Sequence, residues 1–260
     1  MWCVSHLGWL PIFFVLWMSC ASTGPTGNVP IDRTNHRYSS RLDWQWRWSF
    51  PLPHGNSLHA VWVAPNDDAW AAGSNGAVVR FHGQTETIMR VDTRESLRAI
   101  WGLSNSDIWT VGTRGTASHW DGNSWLLVPV PVNDDLVAIW GSNRDQVWAV
   151  GGTRLGNAKY VNGGGTILRW DGKSWTVVAR DADNPFKAIW GSSAANVVVG
   201  GHGPLWHFDG STWSSFSLGT LSVQAIWGTG PDDVWAVGRD RLMANHAGIR
   251  VAVGRDPGTN

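Results

Sequence analysis

The sequence contains little cysteine, little charge and no helical pattern. Its two cysteines, Cys3 and Cys20, both lie within the first twenty residues, so the rest of the chain has no disulfide and no thiolate ligand for a metal. Only 15% of residues are charged, and 20 acidic residues balance 20 basic ones. Without a basic patch, we expect neither nucleic acid nor an anionic membrane surface as a partner. After Arg41 no segment has the 3.6-residue period of an amphipathic helix, which excludes a mainly helical fold.

The N-terminal residues predict export. Residues 7–19 are almost uninterruptedly apolar, which is the length of a signal-peptide core and too short to span a bilayer easily. Residues 1–20 are therefore a predicted signal peptide or lipoprotein signal, and residues 21–43, rich in Ser, Thr, Gly and Pro, a polar tether. The segment around Cys20 resembles a bacterial lipobox, so lipid attachment to Cys20 would be the only membrane link. An uncleaved tail or cleavage near Ala21 stays open, and so does the compartment: outer membrane, periplasm or extracellular space.

The chain is rich in glycine and tryptophan, with 31 and 21 residues, and a repeat places many of them. The four letters A-I-W-G occur at residues 99–102, 138–141, 188–191 and 225–228, with a degraded copy, A-V-W-V, at residues 60–63. The tryptophans of these copies are separated by 39, 39, 50 and 37 residues. A period in this range indicates one supersecondary unit used repeatedly.

Each repeat contains four short segments rich in β-branched and aromatic residues, which predict four strands. Between the third and fourth strands lies a turn with a glycine, at Gly83, Gly122, Gly172 and Gly210, as in a tight hairpin. The fold class is therefore predicted as all-β, a β-propeller of four-stranded blades. It would form one domain over residues 44–260, with repeats at about 58–96, 97–135, 136–185, 186–222 and 223–254.

The two ends of the repeat array predict how the ring closes. Trp48 precedes Trp62 by 14 residues, the spacing that separates a fourth-strand tryptophan from the next A-I-W-G tryptophan. Residues 46–52 therefore form an orphan fourth strand, whereas the last repeat has only a weak third strand, at residues 248–253. We expect the N-terminal strand to pair with the C-terminal unit and close five blades, leaving no exposed edge. A truncated version of a larger ring is the alternative.

The repeated tryptophans and acidic residues have mainly structural interpretations. The A-I-W-G and W-A-V-G tryptophans are expected to fill the space between sheets rather than to bind a ligand. The residues before the second strand, at Asp68, Asp107, Asp145, Asn196 and Asp233, occur once per unit, whereas calcium needs six to eight converging oxygens. We therefore expect them to cap turns. The nine histidines show no metal-ligand spacing, so no metal and no cofactor is predicted.

One insertion breaks the period and is the first candidate site. The third repeat is longer by eleven residues, at 152–162, between its second and third strands. Function is often carried by loops added to a rigid repeat. Arg154, Asn157, Lys159 and Tyr160 supply donors and an aromatic ring for a ligand. We expect them on one face with Asn133, Asp134, Asp135 and Asp183.

A second candidate set is the residue before each third-strand aromatic residue, namely Arg80, His119, Arg169 and His207. Alternation along a strand points these side chains away from the aromatic ring, to the same surface in each blade. They would form either a solvated sheet face or one weak polar site per blade.

The pattern D-x-W-x-V-G, followed by G-T-I-L-x-W-D-G-x-S-W, covers about residues 57–237. It resembles the tectonin-type and Asp-box (BNR-like) propeller repeats of bacterial surface and secreted proteins. Many tectonin-type propellers are lectins, and the resemblance would make sugar contacts of the residues Arg80, His119, Arg169, His207, Trp125, Trp175 and Trp213. The Asp-box likeness also raises sialidases, which need a Tyr–Glu pair. The only tyrosines are Tyr38 and Tyr160, and no paired carboxylates are evident.

The sequence therefore predicts a non-catalytic exported propeller that binds a protein or a glycan at the cell surface. A tectonin-type lectin is the alternative. A sialidase-like hydrolase is disfavoured.

Overall fold

The computed structural model describes residues 55–83, 85–152, 164–217, 222–239, 245–246 and 249–254. All of them belong to the larger of two compact units, Ser49–Asn260, and from residue 239 onward only the backbone is considered. The predicted signal (1–20), Cys20, the tether (21–43), the closing strand (46–52) and the insert residues Arg154, Asn157, Lys159 and Tyr160 lie outside the described residues. These remain predictions.

Twenty strands follow one another along the described residues, with short 3₁₀ turns at Ser74–Gly76 and Thr113–Gly115. The strands are β1 (Leu58–Val63), β2 (Ala69–Gly73), β3 (Ala77–His82), β4 (Thr85–Arg90), β5 (Leu97–Ser104), β6 (Asp107–Gly112), β7 (Ala117–Trp120), β8 (Trp125–Leu127), β9 (Asp135–Asn143), β10 (Gln146–Gly152), β11 (Gly165–Trp170), β12 (Trp175–Asp181), β13 (Phe186–Ser193), β14 (Asn196–Gly201), β15 (Leu205–Phe208), β16 (Trp213–Phe216), β17 (Ser222–Gly230), β18 (Asp233–Arg239), β19 (Asn245–His246) and β20 (Ile249–Gly254).

These strands form five four-stranded sheets, which we number 1 to 5 in chain order. Sheets 1 to 4 are antiparallel meanders of β1–β4, β5–β8, β9–β12 and β13–β16, and sheet 5 has the order β17-β18-β20-β19. The first strands of successive sheets contact each other, β1 with β5, β5 with β9, β9 with β13 and β13 with β17. Tandem four-stranded sheets that meet through their first strands are the blades of a β-propeller. The predicted all-β propeller of four-stranded blades is confirmed.

The Asp-Gly turns behave as their sequence predicts. Gly122 has a φ of 96°, in the left-handed region that glycine adopts without steric cost. Asp121 Oδ1 accepts hydrogen bonds from the backbone N–H groups of Asn123 and Ser124, each at 2.8 Å. These bonds from Ser124 and Asn123 lower the pKa of Asp121. The turn therefore fixes the hairpin through the aspartate as well as the glycine.

Sheet 5 differs from the other four in strand direction. A third strand was expected at residues 248–253, and β20 does occupy the third position beside β18. However, β20 runs parallel to β18, with Val234 opposite Ile249. The reason is strand order: β19 comes first in the chain but lies at the outer position, so β20 pairs antiparallel with it and returns alongside β18. Sheet 5 thus lacks the β3–β4 type of hairpin.

The A-I-W-G motif forms the contact between neighbouring first strands. The ring of each of four first-strand tryptophans lies against the glycine of the next sheet. A methyl carbon added to this glycine would lie 2.5–2.8 Å from the tryptophan Cη2 atom, and the pairs are Trp62–Gly102, Trp101–Gly141, Trp140–Gly191 and Trp190–Gly228. We call this the Trp–Gly contact. These tryptophans fill the space between neighbouring sheets, as expected, and they do so half-buried at the edge of the core.

The second-strand tryptophans provide the centre of the core. Trp70, Trp109 and Trp148 are 0%, 2% and 1% exposed, which confirms their predicted burial. Trp235 is the exception at 37% exposed.

Each buried tryptophan packs against two aromatic rings of the next sheet. The centroid distances are Trp70–Trp120 5.8 Å, Trp70–Trp125 6.4 Å, Trp109–Trp170 4.9 Å, Trp109–Trp175 5.4 Å, Trp148–Phe208 5.2 Å and Trp148–Trp213 5.7 Å.

The Trp–Gly contact predicts a position-specific cost for adding one methyl group. We expect Gly191→Ala to lower the free energy of unfolding by about 1–3 kcal/mol, because the new carbon would overlap the ring of Trp140. The matched control is Gly230→Ala, at a glycine of another first strand, β17, where an added carbon meets no atom within 4 Å. Urea unfolding measures both variants, and an equal loss in the two would contradict the contact.

Candidate functional site

In sheets 1 to 4 a hydrogen-bond acceptor at the start of the second strand holds the polar residue of the third strand. The pairs are Asp68–Arg80, Asp107–His119, Gln146–Arg169 and Asn196–His207, with shortest distances of 2.5, 2.8, 2.7 and 2.8 Å. The prediction of turn caps is wrong for Asp68 and Asp107, whose side chains bind the third strand. It holds for two others: across the turn between first and second strands, Asn196 Nδ2 donates to Ser192 Oγ at 2.9 Å and Asp233 Oδ2 accepts from Thr229 Oγ1 at 2.6 Å. In sheet 3 the acceptor is Gln146 and not Asp145, which lies one residue too early.

Sheet 1 shows the electrostatics of this arrangement most clearly. The Asp68 side chain is 1% exposed and accepts hydrogen bonds from Arg80 Nε at 3.0 Å and from His82 Nδ1 at 2.5 Å. The hydrogen bond from His82, followed by those from Arg80, lowers the pKa of Asp68 to about 2. A buried carboxylate is stable only when paired in this way.

Three of the four third-strand polar residues also stack on the core tryptophans; the fourth, His207, lies in sheet 4, which has Val198 at the tryptophan position. Arg80 and Arg169 lie with their guanidinium carbons 5.4 Å from the ring centroids of Trp70 and Trp148. The His119 ring is stacked on Trp109 at 4.4 Å. These side chains are thus half-buried structural partners, and not a freely solvated face as one interpretation had it. Their role as sugar contacts stays a prediction, as it does for Trp125, Trp175 and Trp213, of which Trp175 is only 4% exposed.

At two junctions the loop between the first and second strands connects the acceptor to the next sheet. At the junction of sheets 1 and 2, Asn105 donates a hydrogen bond from Nδ2 to Asp68 at 2.8 Å. Its Oδ1 accepts a hydrogen bond from Trp70 Nε1 at 3.0 Å. At the junction of sheets 2 and 3 the equivalent residue is Arg144, whose Nε donates to Asp107 at 3.1 Å. At these two junctions the same loop position therefore supplies a different partner for the acceptor.

Two grooves lie at equivalent places in the repeat. Groove A, between sheets 2 and 3, has a volume of about 370 Å³ and is lined by Ser106, Trp109, His119, Asp121, Arg144, Trp170 and Gly172. Groove B, between sheets 4 and 5, has about 360 Å³ and is lined by Ala195, Asn196, Val198, His207, Asp209, Phe216, Pro231, Asp232 and Val234. His119 and Asp121 in groove A correspond to His207 and Asp209 in groove B. Both grooves therefore lie at the side of the sheets that carries the loops between first and second strands.

The residues predicted to accompany the insert, Asn133, Asp134, Asp135 and Asp183, lie at the other end of the strands. There Asp134 Oδ2 accepts a hydrogen bond from Thr166 Oγ1 at 2.5 Å, and Asp135 Oδ1 accepts one from the backbone N–H of Arg114 at 3.0 Å. The Asp183 N–H donates to Asp181 Oδ1 at 3.0 Å. These contacts tie the loops together, whereas the four insert residues lie outside the described part of the chain.

The described residues carry no sign of a metal centre or a membrane span. Within these ranges, no group of three or more His, Cys, Asp or Glu side chains could hold a metal ion. Over the same residues, no helix is long and apolar enough to cross a membrane. The chemistry that the grooves offer is hydrogen bonding by His, Arg, Asp and Ser beside aromatic rings.

The fold defines the class of this protein as a β-propeller, and solved structures agree. YCF48 bound to a D1 peptide matches with 17% identity and a TM-score of 0.53, over 72% of this chain and 62% of its own. YCF48 from Cyanidioschyzon merolae matches with 13% identity and a TM-score of 0.51, over 72% of this chain and 65% of its own. These matches span less than two thirds of the length of either YCF48 chain.

A third neighbour is the extracellular domain of the BT4673 two-component system from B. thetaiotaomicron. It has 13% identity and a TM-score of 0.55, over 75% of this chain and 27% of its own. At such identities the likeness shows the fold alone. No protein-family model and no curated protein sequence matches the chain, so the narrower resemblance to tectonin-type or Asp-box repeats stays a prediction.

Sequence reasoning missed the loop residues Asn105 and Arg144. A signal was present: the third residue after the A-I-W-G glycine, or after Val63, changes from repeat to repeat. It is Asn66, Asn105, Arg144, Ala194 and Pro231 in turn. The residue two positions after this variable one is a hydrogen-bond acceptor in every repeat.

The low pKa of Asp68 predicts how stability depends on pH. Its folded-state value of about 2 lies below the ordinary 3.8, so ionised Asp68 stabilises the fold above about pH 4, and this contribution is lost as the pH falls toward 2. We expect Asp68→Asn to unfold more easily than the wild type at pH 6 and to show a smaller loss of stability on acidification. Urea unfolding at several pH values measures this. The control is the exposed Asp92→Asn, and an unchanged pH dependence in Asp68→Asn would contradict the assignment.

Proposed function

We propose that this chain is a non-catalytic binding propeller of the cell envelope that recognises an extended segment of a partner protein along grooves A and B. The observation that carries the proposal is the pair of grooves at equivalent positions of the repeat. Each is of a size that accepts a side chain, with aromatic or apolar walls and a few polar groups. One extended segment that reaches both grooves would gain affinity, because its second contact is intramolecular.

The residue types in the grooves favour recognition of a protein. Trp and Arg, which line groove A, are enriched among the residues that dominate binding energy at protein interfaces. The carboxylates Asp121 and Asp209 sit in turns and accept backbone N–H groups, so they shape the grooves. Sugar binding receives less support, since a sugar stacks on an open aromatic face and Trp175 is buried.

The structural neighbours add indirect support. One of them, YCF48, is a propeller bound to a peptide, and another is an extracellular domain. The apolar segment at residues 7–19 fits export. Lipid attachment through Cys20 is part of the same proposal. The compartment is the outer membrane, the periplasm or the extracellular space.

A peptide array of bacterial envelope proteins, probed with the purified chain beside a glycan array, tests this function. We expect binding to a subset of peptides. Binding should weaken at least tenfold in Ser106→Trp and in Ala195→Trp, because these exposed, equivalent positions would place a bulky ring in groove A or groove B.

The control is Arg94→Trp, at an exposed position in the β4–β5 connection, which should bind like the wild type. Glycan binding without peptide binding would overturn the proposal in favour of a lectin. If peptides bind and neither Ser106→Trp nor Ala195→Trp weakens the binding, the grooves are not the binding site.

A further inference from the structure

Asn105 shows what the junctions of this propeller are built to accept. Its side-chain carboxamide is held from both sides: Oδ1 accepts from Trp70 Nε1 at 3.0 Å, and Nδ2 donates to Asp68 Oδ2 at 2.8 Å and to Asn66 Oδ1 at 2.7 Å. The buried indole N–H and the buried carboxylate are both satisfied by one primary amide. The junction of sheets 1 and 2 therefore contains a carboxamide site that the chain itself fills.

The junction of sheets 2 and 3 has an equivalent buried indole and an equivalent buried carboxylate, but no amide between them. Trp109 corresponds to Trp70, and the buried Asp107 corresponds to Asp68. Arg144 stands where Asn105 would be, and a guanidinium group has no acceptor for an indole N–H. Among the described residues, Trp109 Nε1 is one of five buried indole N–H groups without a hydrogen-bond partner. Trp109 and Arg144 line groove A together, and they stand at the positions that Trp70 and Asn105 hold at the preceding junction.

Arg144 covers this position but is easily displaced. Its side chain is 74% exposed and is held to Asp107 through Nε at 3.1 Å. Because the guanidinium is already mostly in water while the buried carboxylate keeps a second partner, moving Arg144 aside costs little. Asp107 would remain paired with His119 at 2.8 Å if Arg144 moved away.

We propose that groove A binds the side-chain carboxamide of an Asn or Gln residue of the partner, in the position that Asn105 occupies at the preceding junction. The amide oxygen accepts from Trp109 Nε1, and the amide nitrogen donates to Asp107. A carboxylate cannot replace it, because it would meet Asp107 with like charge and without a proton to donate. This inference rests on the proposed function, since it names the chemistry that the same groove recognises.

The test follows the indole N–H signals of the ¹⁵N-labelled full chain by NMR, with the Trp109 signal assigned from Trp109→Phe. The probe is N-acetyl-asparagine methylamide, titrated to about 50 mM because so small a ligand binds weakly. We expect the Trp109 signal to shift progressively with this probe. The aspartate and alanine analogues, which carry the same backbone amides, should leave it in place.

A substitution that places an asparagine at the junction of sheets 2 and 3, as Asn105 is placed at the preceding one, sharpens the test. Arg144→Asn should satisfy Trp109 and Asp107 internally, raise Tm by about 2–4 °C and abolish the shift. Arg144→Ala should keep the groove open and retain the shift. The control Arg94→Asn removes an exposed arginine elsewhere and should change neither measurement.

The inference is overturned if the asparagine probe leaves Trp109 unmoved in both the wild type and Arg144→Ala, or if Arg144→Asn responds like the wild type. Its failure is distinguishable from failure of the proposed function. A silent peptide array with a Trp109 shift would reject the partner protein and keep the amide site. Peptide binding without a Trp109 response would reject the amide site alone.

Discussion

The contact between a first-strand tryptophan and the glycine of the next sheet fixes how closely neighbouring blades approach. Because glycine has no side chain, the ring of Trp101 lies directly against Gly141, and the same contact occurs at Trp140 and Gly191. This approach brings the second-strand tryptophan of one sheet within reach of two rings of the next. The aromatic core and the polar contacts beyond it depend on this spacing. Sheet 1 has Val63 at the glycine position, so it cannot receive a tryptophan in the same way.

Outside the aromatic core, hydrogen-bonded pairs of second-strand and third-strand residues recur in each of sheets 1 to 4 and lie between the core and the grooves. Buried Asp68 and Asp107 would destabilise the fold if they were left unpaired, and each sheet supplies its own Arg or His to prevent this. The adjacent loop position is under no such constraint, because the acceptor already has a partner. It varies between Asn105, Arg144 and Ala194. Because of this variation, junctions that share the same framework present different surfaces. A rigid repeat with one variable position is well suited to binding.

Features that depend on local sequence were predictable. The A-I-W-G spacing indicated five units, the Asp-Gly turns indicated hairpins, and the W-A-V-G pattern indicated the buried Trp109 and Trp148, because alternation and turn chemistry act within a few residues. Features that depend on distant residues were not. Arg144 and Asp107 are 37 residues apart. The β10–β11 register sets Trp148 opposite Arg169, so Gln146, two residues earlier on the same face of the strand, accepts from Arg169 and Asp145 does not. The parallel direction of β20 depends on strand order, which residues 248–253 do not specify.

The sequence alone therefore determined the fold class, the blade unit and the positions of the strands, since each repeat states the same local preferences. Only the tertiary structure decided what the repeated residues do. The A-I-W-G tryptophans cover a glycine of the next sheet and stay half-buried, and His119 and Arg169 serve as partners of internal acceptors. Such roles arise from contacts between sheets, where geometry and desolvation select one partner among several that the sequence permits.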